Sequence, residues 1–241
     1  MSNIVIIPTY KEKENIERII RAVLELPVVF DILIIDDNSP DGTADVVKEL
    51  QIEFNNLYLI ERSGKLGLGT AYIAGFAWAL ARGYSFIYEM DADFSHNPKD
   101  LLKLYNACHD GGADLAIGSR YISGVNVVDW PLPRVLMSYI ASIYVRMITG
   151  MKIMDTTAGF KCYKKEVLEN INPEKIKSIG YGFQIEMKFI AWKLGYKIVE
   201  VPIIFTDRKH GSSKMTGGIF SEAFLGVLVM KIKSMFTKYP K

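Results

Sequence analysis

Along the first half of the chain, short unbroken apolar runs take turns with stripes of helical period. Residues 3–7 form a β-branched run, and Ile16, Ile19, Ile20, Val23 and Leu24 follow at the i, i+3, i+4, i+7, i+8 spacing of a helix that lays one face on a sheet. The alternation repeats. Strands are expected at 32–35, 57–60, 84–90 and 114–118, with a helix face at Ala44, Val47, Leu50 and Phe54, and helices over 68–82 and 98–109. Pro98 suits the first turn of the last of these. Strands alternating with helices of this length specify βαβ units, so the expected class is α/β, with a mostly parallel twisted sheet and right-handed crossovers.

The second half is less regular. The pattern predicts helices over 135–149 and 183–194, a strand over 159–163, and a strand over 198–205 in which Pro202 points to a sheet edge. No linker breaks the chain, and the reading is one α/β domain over 1–218 followed by a basic, apolar tail over 219–241.

Of the 241 residues, 49% are hydrophobic and the net charge is only +2, so disordered, collagenous and disulfide-scaffold classes are excluded and nothing calls for nucleic acid. The charge is uneven, however. From residue 205 onward seven Lys and Arg face two acids, which leaves the preceding part acidic and the C-terminal end suited to an anionic partner. Cys108 and Cys162 lack metal or redox spacing and read as reduced core residues. The N-terminus MSNIVIIPTY does not resemble a signal peptide, and no apolar stretch reaches the roughly 18 residues of a membrane span. A cytoplasmic protein is expected, with any membrane contact peripheral.

Acids at the carboxyl ends of strands carry the candidate chemistry, because open α/β sheets bind ligands there. The 32–35 run leads straight into Asp36-Asp37-Asn38-Ser39, whose plain alternative is a capped strand end. The next acidic strand end is Asp91-Ala92-Asp93, two carboxylates that repel unless a cation or donors compensate. Hard oxygens of this kind suit Mg²⁺ or Mn²⁺ shared with a substrate diphosphate. P-loop and dinucleotide fingerprints are absent, and His96, His109 and His210 stand isolated, which favours structural or exposed roles.

Seven segments in order narrow the reading: PTYKE at 8–12, IIDDNSPDGT at 34–43, KLGLG at 65–69, MDADFSHNP at 90–98, GSRY at 118–121, DTTAGF at 155–160 and RKHGSSK at 208–214. Together they resemble the inverting glycosyltransferases of family 2, with the GT-A fold, and within them the dolichyl-phosphate mannose synthases. The resemblance spans about residues 3–218. It implies that Pro8, Tyr10, Glu12, Ile35 and Asp37 line the nucleotide pocket of GDP-mannose, and that Asp91, Ala92 and Asp93 meet its diphosphate. Asp93 would be the main metal ligand, with Asp91 and Ser95 beside it; many relatives carry Gln where this chain has Ser95. Arg208 and Lys214 would clamp the diphosphate and leaving nucleotide under a closing loop, and Arg120, Arg134 and Ser138 would hold the phosphate of a dolichyl or polyprenyl acceptor. Asp93, Arg120 and Arg208 would thus carry catalysis.

Such an acceptor needs no general base, since a phosphate monoester with a second pKa of about 6 is already ionised at pH 7. The difficulty is to bring two anions together, which calls for cations between them. Residues 130–151 and 219–236 mix large apolar side chains with Arg134, Arg146, Lys231 and Lys233, a composition suited to a headgroup interface or to core helices. Attachment is therefore expected to be peripheral on the cytoplasmic face, or through a membrane-anchoring partner subunit. Two rivals stand beside this reading: a family 2 enzyme using a UDP-sugar, for example a polyprenyl-phosphate glucosyltransferase, and a nucleotide-binding, membrane-associated module without turnover.

Overall fold

A computed structural model describes residues 2–173, 176, 178, 180–207 and 217–236. Strands β1 (Asn3–Thr9), β2 (Asp31–Asp36), β3 (Leu57–Glu61) and β4 (Phe86–Glu89) alternate with helices α1 (Lys13–Leu24), α2 (Thr43–Glu53) and α3 (Leu68–Ala81). A short 3-10 turn, Pro98–Asp100, leads into α4 (Leu101–His109), followed by β5 (Leu115–Ser119), β6 (Val127–Val128) and α5 (Leu132–Thr149). The described chain continues through β7 (Lys161–Lys164), α6 (Lys165–Ile171), α7 (Tyr181–Lys193), β8 (Ile198–Pro202), β9 (Phe205–Thr206) and α8 (Gly217–Phe236).

The main sheet has the order β3-β2-β1-β4-β7-β5-β8. Every neighbouring pair is parallel except those made by β7, which runs antiparallel to both β4 and β5. Ile4 and Ile6 face the layer that includes α3, α6 and α7, while Val5 and Ile7 face α1, α2 and α4. Both faces of β1 are covered, which is why its sequence is a continuous apolar run rather than an alternating one. Gly75 lets α3 press onto the sheet, since a Cβ there would sit 2.7 Å from Ile6 Cγ2.

The alternating α/β pattern of the first half is found as expected. Three features of the second half differ. The expected strand over 198–205 is two strands, β8 ending at Pro202 and β9 starting at Phe205, although the Ile203 N–H still donates to the Ser119 carbonyl at 3.1 Å. β8 is the sheet edge that Pro202 suggested, whereas β9 pairs with β6 in a separate two-stranded sheet. The expected strand over 159–163 begins only at Lys161, and α6, with seven residues, is too short to show a helical period in sequence. Cys108 and Cys162 are free and buried, as expected.

Candidate active site

The carboxyl ends of β1, β2, β4 and β5 open into a cleft of about 470 Å³. Its wall brings together Pro8, Tyr10, Glu12, Asp37, Asp91, Ala92, Asp93, Ser95 and Arg120, drawn from four of the seven segments singled out in sequence, together with Arg134. Gly118 at the end of β5 belongs to the same wall; a Cβ there would fall 2.5 Å from Phe160 Cδ1.

On the acidic side the two aspartates after β2 divide the roles. Asp36 is fully buried and accepts hydrogen bonds from Thr9 Oγ1 at 2.8 Å and from the Ser39 N–H and hydroxyl at 2.8 and 2.6 Å. It is the capped strand end. Asp37 points to the cleft and pairs with Arg62, whose Nε lies 2.6 Å from Oδ1. Arg62 also donates to Thr70 Oγ1 and to the Gly67 carbonyl, and the Leu66 N–H donates to Asp37, so the 62–70 turn is wrapped around this carboxylate. Lys65 from that turn reaches the cleft with its Nζ 5.1 Å from the Tyr10 ring centre.

After β4, Asp91 and Asp93 both line the cleft. The Ser95 N–H donates to Asp93 Oδ1 at 3.0 Å, and the Ser95 carbonyl accepts from Thr206 N–H at 3.2 Å, so the backbone of Ser95 orients Asp93 and ties it to β9.

The basic side is held by long-range pairs. Arg120 is buried and forms a two-pronged bridge to Asp155, Nε to Oδ2 and Nη2 to Oδ1, both at 2.6 Å. Its Nη2 also donates to Thr157 Oγ1 at 2.8 Å, and the guanidinium lies 5.1 to 5.6 Å from the ring centres of Tyr121, Trp130 and Phe205. Burial alone would raise the Asp155 carboxyl, but the Arg120 charge and its hydrogen bonds hold it below the usual value. Arg134, on α5, donates to both oxygens of Asp207 at 2.9 and 3.0 Å and lies 4.1 Å above the Trp130 ring.

Two expected residues are elsewhere. Ile35 has no exposed surface and packs in the core beneath α3, so its place is behind the nucleotide wall rather than on it. Ser138 accepts a hydrogen bond from the Tyr121 hydroxyl at 2.8 Å and lies off the wall, bracing the aromatic ring beside Arg120. Arg208 and Lys214 lie outside the described residues.

The cleft also contains residues that the sequence did not single out. His96 is buried in its wall, stacked on Phe160 at 4.9 Å, with Nδ1 3.9 Å from Asp91 Oδ2. Burial lowers its pKa to about 4 against the pull of Asp93, so the ring is neutral at pH 7. Trp130, Thr157 and Gln184 line the cleft as well. His96 and Thr157 fall inside the 90–98 and 155–160 segments and Trp130 opens the 130–151 stretch, but none of them was assigned to the site, and Gln184 carried no site signal.

Among the described residues no group of three or more His, Cys, Asp or Glu comes together to hold a metal. Asp91 and Asp93 supply two hard oxygen groups facing open cleft, which fits a divalent cation that keeps waters and takes phosphate oxygens as its other ligands.

The sequence profile of glycosyl transferase family 2 matches residues 4–171, well over half of the chain. The chain belongs to glycosyltransferase family 2. This family 2 glycosyltransferase is 47% identical over 225 residues to polyprenol monophosphomannose synthase of Mycolicibacterium smegmatis, covering 93% of this chain and 84% of that one. It is 44% identical over 227 residues to undecaprenyl-phosphate mannosyltransferase of Micrococcus luteus, covering 94% and 93%. Its fold is similar to glucosyl-3-phosphoglycerate synthase of Mycobacterium tuberculosis, solved with Mn²⁺, UDP and glucosyl-3-phosphoglycerate, with a TM-score of 0.66 at 17% identity over 98% of this chain and 81% of that one. The α/β class, the GT-A fold and the glycosyltransferase assignment expected from the sequence all hold.

Proposed function

We propose that this glycosyltransferase moves mannose from GDP-mannose to dolichyl or another polyprenyl phosphate with inversion, giving polyprenyl β-mannosyl phosphate. The observation that carries the reading is the cleft itself, which Asp91 and Asp93 line together with Arg120 and Arg134. The names of the two relatives at 44% and 47% identity support it.

Pro8, Tyr10, Glu12 and Asp37 would receive the nucleotide, and Asp91 to Asp93 the diphosphate side. Mg²⁺ or Mn²⁺, when bound at Asp91 and Asp93 near Ser95, would neutralise charge on the diphosphate. Arg120 and Arg134 would hold the acceptor phosphate, and Arg208 and Lys214 the leaving GDP. An oxygen of the ionised acceptor phosphate attacks the anomeric carbon, forming a C–O bond as the bond to GDP breaks on the opposite side. No proton has to be removed from the acceptor, so a neutral His96 is no obstacle. Orientation and the fixed cations supply the rate.

Among the described residues no helix is long and apolar enough to cross a membrane. Leu136, Ile140 and Met147 on α5 and Phe224, Leu225 and Ile232 on α8 are nonetheless exposed, and the Tyr144 and Phe224 rings stack at 4.1 Å to join the two helices. These faces would rest peripherally on the cytoplasmic face of the membrane that holds the acceptor. The test is to supply polyprenyl phosphate and Mg²⁺ or Mn²⁺ with labelled GDP-mannose, UDP-glucose or UDP-GlcNAc in separate reactions. Labelled lipid from GDP-mannose is expected; label transferred from a UDP-sugar alone would overturn the donor assignment.

A further inference from the structure

The stretch 153–159 has no helix or strand, yet it is fastened from both sides. Glu200, on β8, accepts the backbone N–H groups of Met154 at 2.7 Å and Asp155 at 2.9 Å. Lys188, on α7, donates to the carbonyls of Thr156 at 3.0 Å and Ala158 at 2.6 Å, and to the Gln184 carbonyl of its own helix at 3.2 Å. A carboxylate thus gathers the amides at one end of the turn and an ammonium gathers carbonyls at the other.

Lys188 has no exposed surface. A buried ammonium costs several kcal/mol unless its donors are satisfied, and an apolar side chain would fill the same space without that penalty. Here three carbonyl acceptors match the three N–H donors of the charged form. Burial, with the charge of Lys161 added, pulls the Lys188 ammonium well below its ordinary pKa.

The fastened turn faces the cleft. Thr157, Ala158 and Gly159 line it, and Asp155 and Thr157 together fix the plane of Arg120 through Nε, Nη2 and the Arg120 backbone N–H. Asp37, Asp91 and Asp93 follow β2 and β4 instead; Asp37 is held by Arg62 and the Leu66 N–H, and Asp93 by the Ser95 N–H.

We infer that Lys188 and Glu200 are positioning residues for the acceptor phosphate, clamping the 153–159 turn so that Asp155 and Thr157 aim Arg120. The inference rests on the acceptor role given to Arg120 above. It requires the two halves of the reaction to respond differently when the clamp is loosened.

Lys188→Met keeps an unbranched side chain one atom shorter and removes all three donors, and Glu200→Gln keeps shape and removes charge. In the full chain with Mn²⁺, the KM for polyprenyl phosphate should rise on the order of tenfold or more in Lys188→Met and by a smaller factor in Glu200→Gln. The Kd for GDP should stay within about twofold of wild type, as a change of that size is under about 0.5 kcal/mol. Amide exchange over 154–159 should quicken in both variants. Unchanged acceptor KM in both overturns the clamp, and so does a matching loss of GDP affinity, which would mark a general structural role. Should Lys188→Met fail to fold, Glu200→Gln, whose side chain is half-buried, decides by the same two constants. Wild type measured alongside separates the causes. If wild type transfers no mannose to the lipid, the function falls and this inference with it; if it does so and the variants match it, only the clamp falls.

Discussion

Asp91 and Asp93 reach the cleft within four residues of the end of β4, and the N–H that orients Asp93 comes from Ser95, two positions on. Arg120 and Arg134 reach the same cleft by a different route. Their carboxylate partners, Asp155 and Asp207, lie 35 and 73 positions away. A carboxylate at a strand end needs only a local turn and an incoming cation, whereas a buried guanidinium must be matched by a counter-charge built elsewhere in the fold. The acidic wall is thus a local construction, and the basic wall exists only once the second half of the sheet has formed around β7.

Asp93→Ala should lower mannosyl transfer by at least about a hundredfold, with little change in melting temperature, because the wall it belongs to stands on local structure. Transfer near the wild-type rate in metal-free buffer would remove the metal role. Asp155→Asn should act in the opposite sense, costing stability first. It leaves the buried Arg120 without its charge partner, which costs about 3–5 kcal/mol, readable as a fall in the denaturant midpoint. Equal stability of Asp155→Asn and wild type would show that the basic wall is no more integral to the fold than the acidic one.

A smaller effect separates the two arginines. Asp207 and Arg134 are each partly exposed, so Asp207→Asn should cost at most about 1 kcal/mol of stability. Removing that anion beside the proposed phosphate site should lower the KM for polyprenyl phosphate by roughly twofold to fivefold. A raised KM would instead make Asp207 part of the acceptor site.

The smallest effect is a control at the opposite end of the sheet. His109 is stacked between Phe86 and Tyr105 at 3.9 and 3.8 Å and bonds Asn3 Oδ1 at 3.1 Å, beside the first residues of β1 and β4. Burial lowers its pKa, so the unfolded chain takes up this proton before the folded one does. The contribution is present above about pH 6.5 and is lost as the pH falls through that value and towards the lower folded one. His109→Gln should flatten that slope slightly in melts compared at about pH 7.5 and about pH 5, and leave transfer at neutral pH unchanged. An unaltered slope would mean the stacked ring adds nothing to acid sensitivity.

The same contrast explains what could be read in the sequence. The βα alternation up to β5 was legible because each strand and helix announces itself within a few residues, and Asp37, Asp91 and Asp93 stand directly after the runs that place them. β7 was legible as a strand but not as an antiparallel one wedged between β4 and β5, since that placement is set by the path of the intervening chain. Arg120 was legible as a member of a motif; its tie to Asp155, and the hold of Lys188 and Glu200 on that turn, leave no local pattern. Ile35 and Ser138 lie off the cleft wall for a related reason. Each neighbours a wall residue in sequence or on a helix, and the direction of its side chain is fixed only by packing.

The measurement that bears most directly on the proposed pair of anion sites is calorimetric titration of GDP, in the presence of Mn²⁺, into Asp93→Ala and Arg134→Ala. Asp93→Ala should show no detectable metal-dependent GDP binding, and Arg134→Ala should bind GDP as wild type does while requiring more polyprenyl phosphate for transfer. Loss of GDP binding in Arg134→Ala, or its retention in Asp93→Ala, would contradict the division of the cleft into an acidic donor wall and a basic acceptor wall.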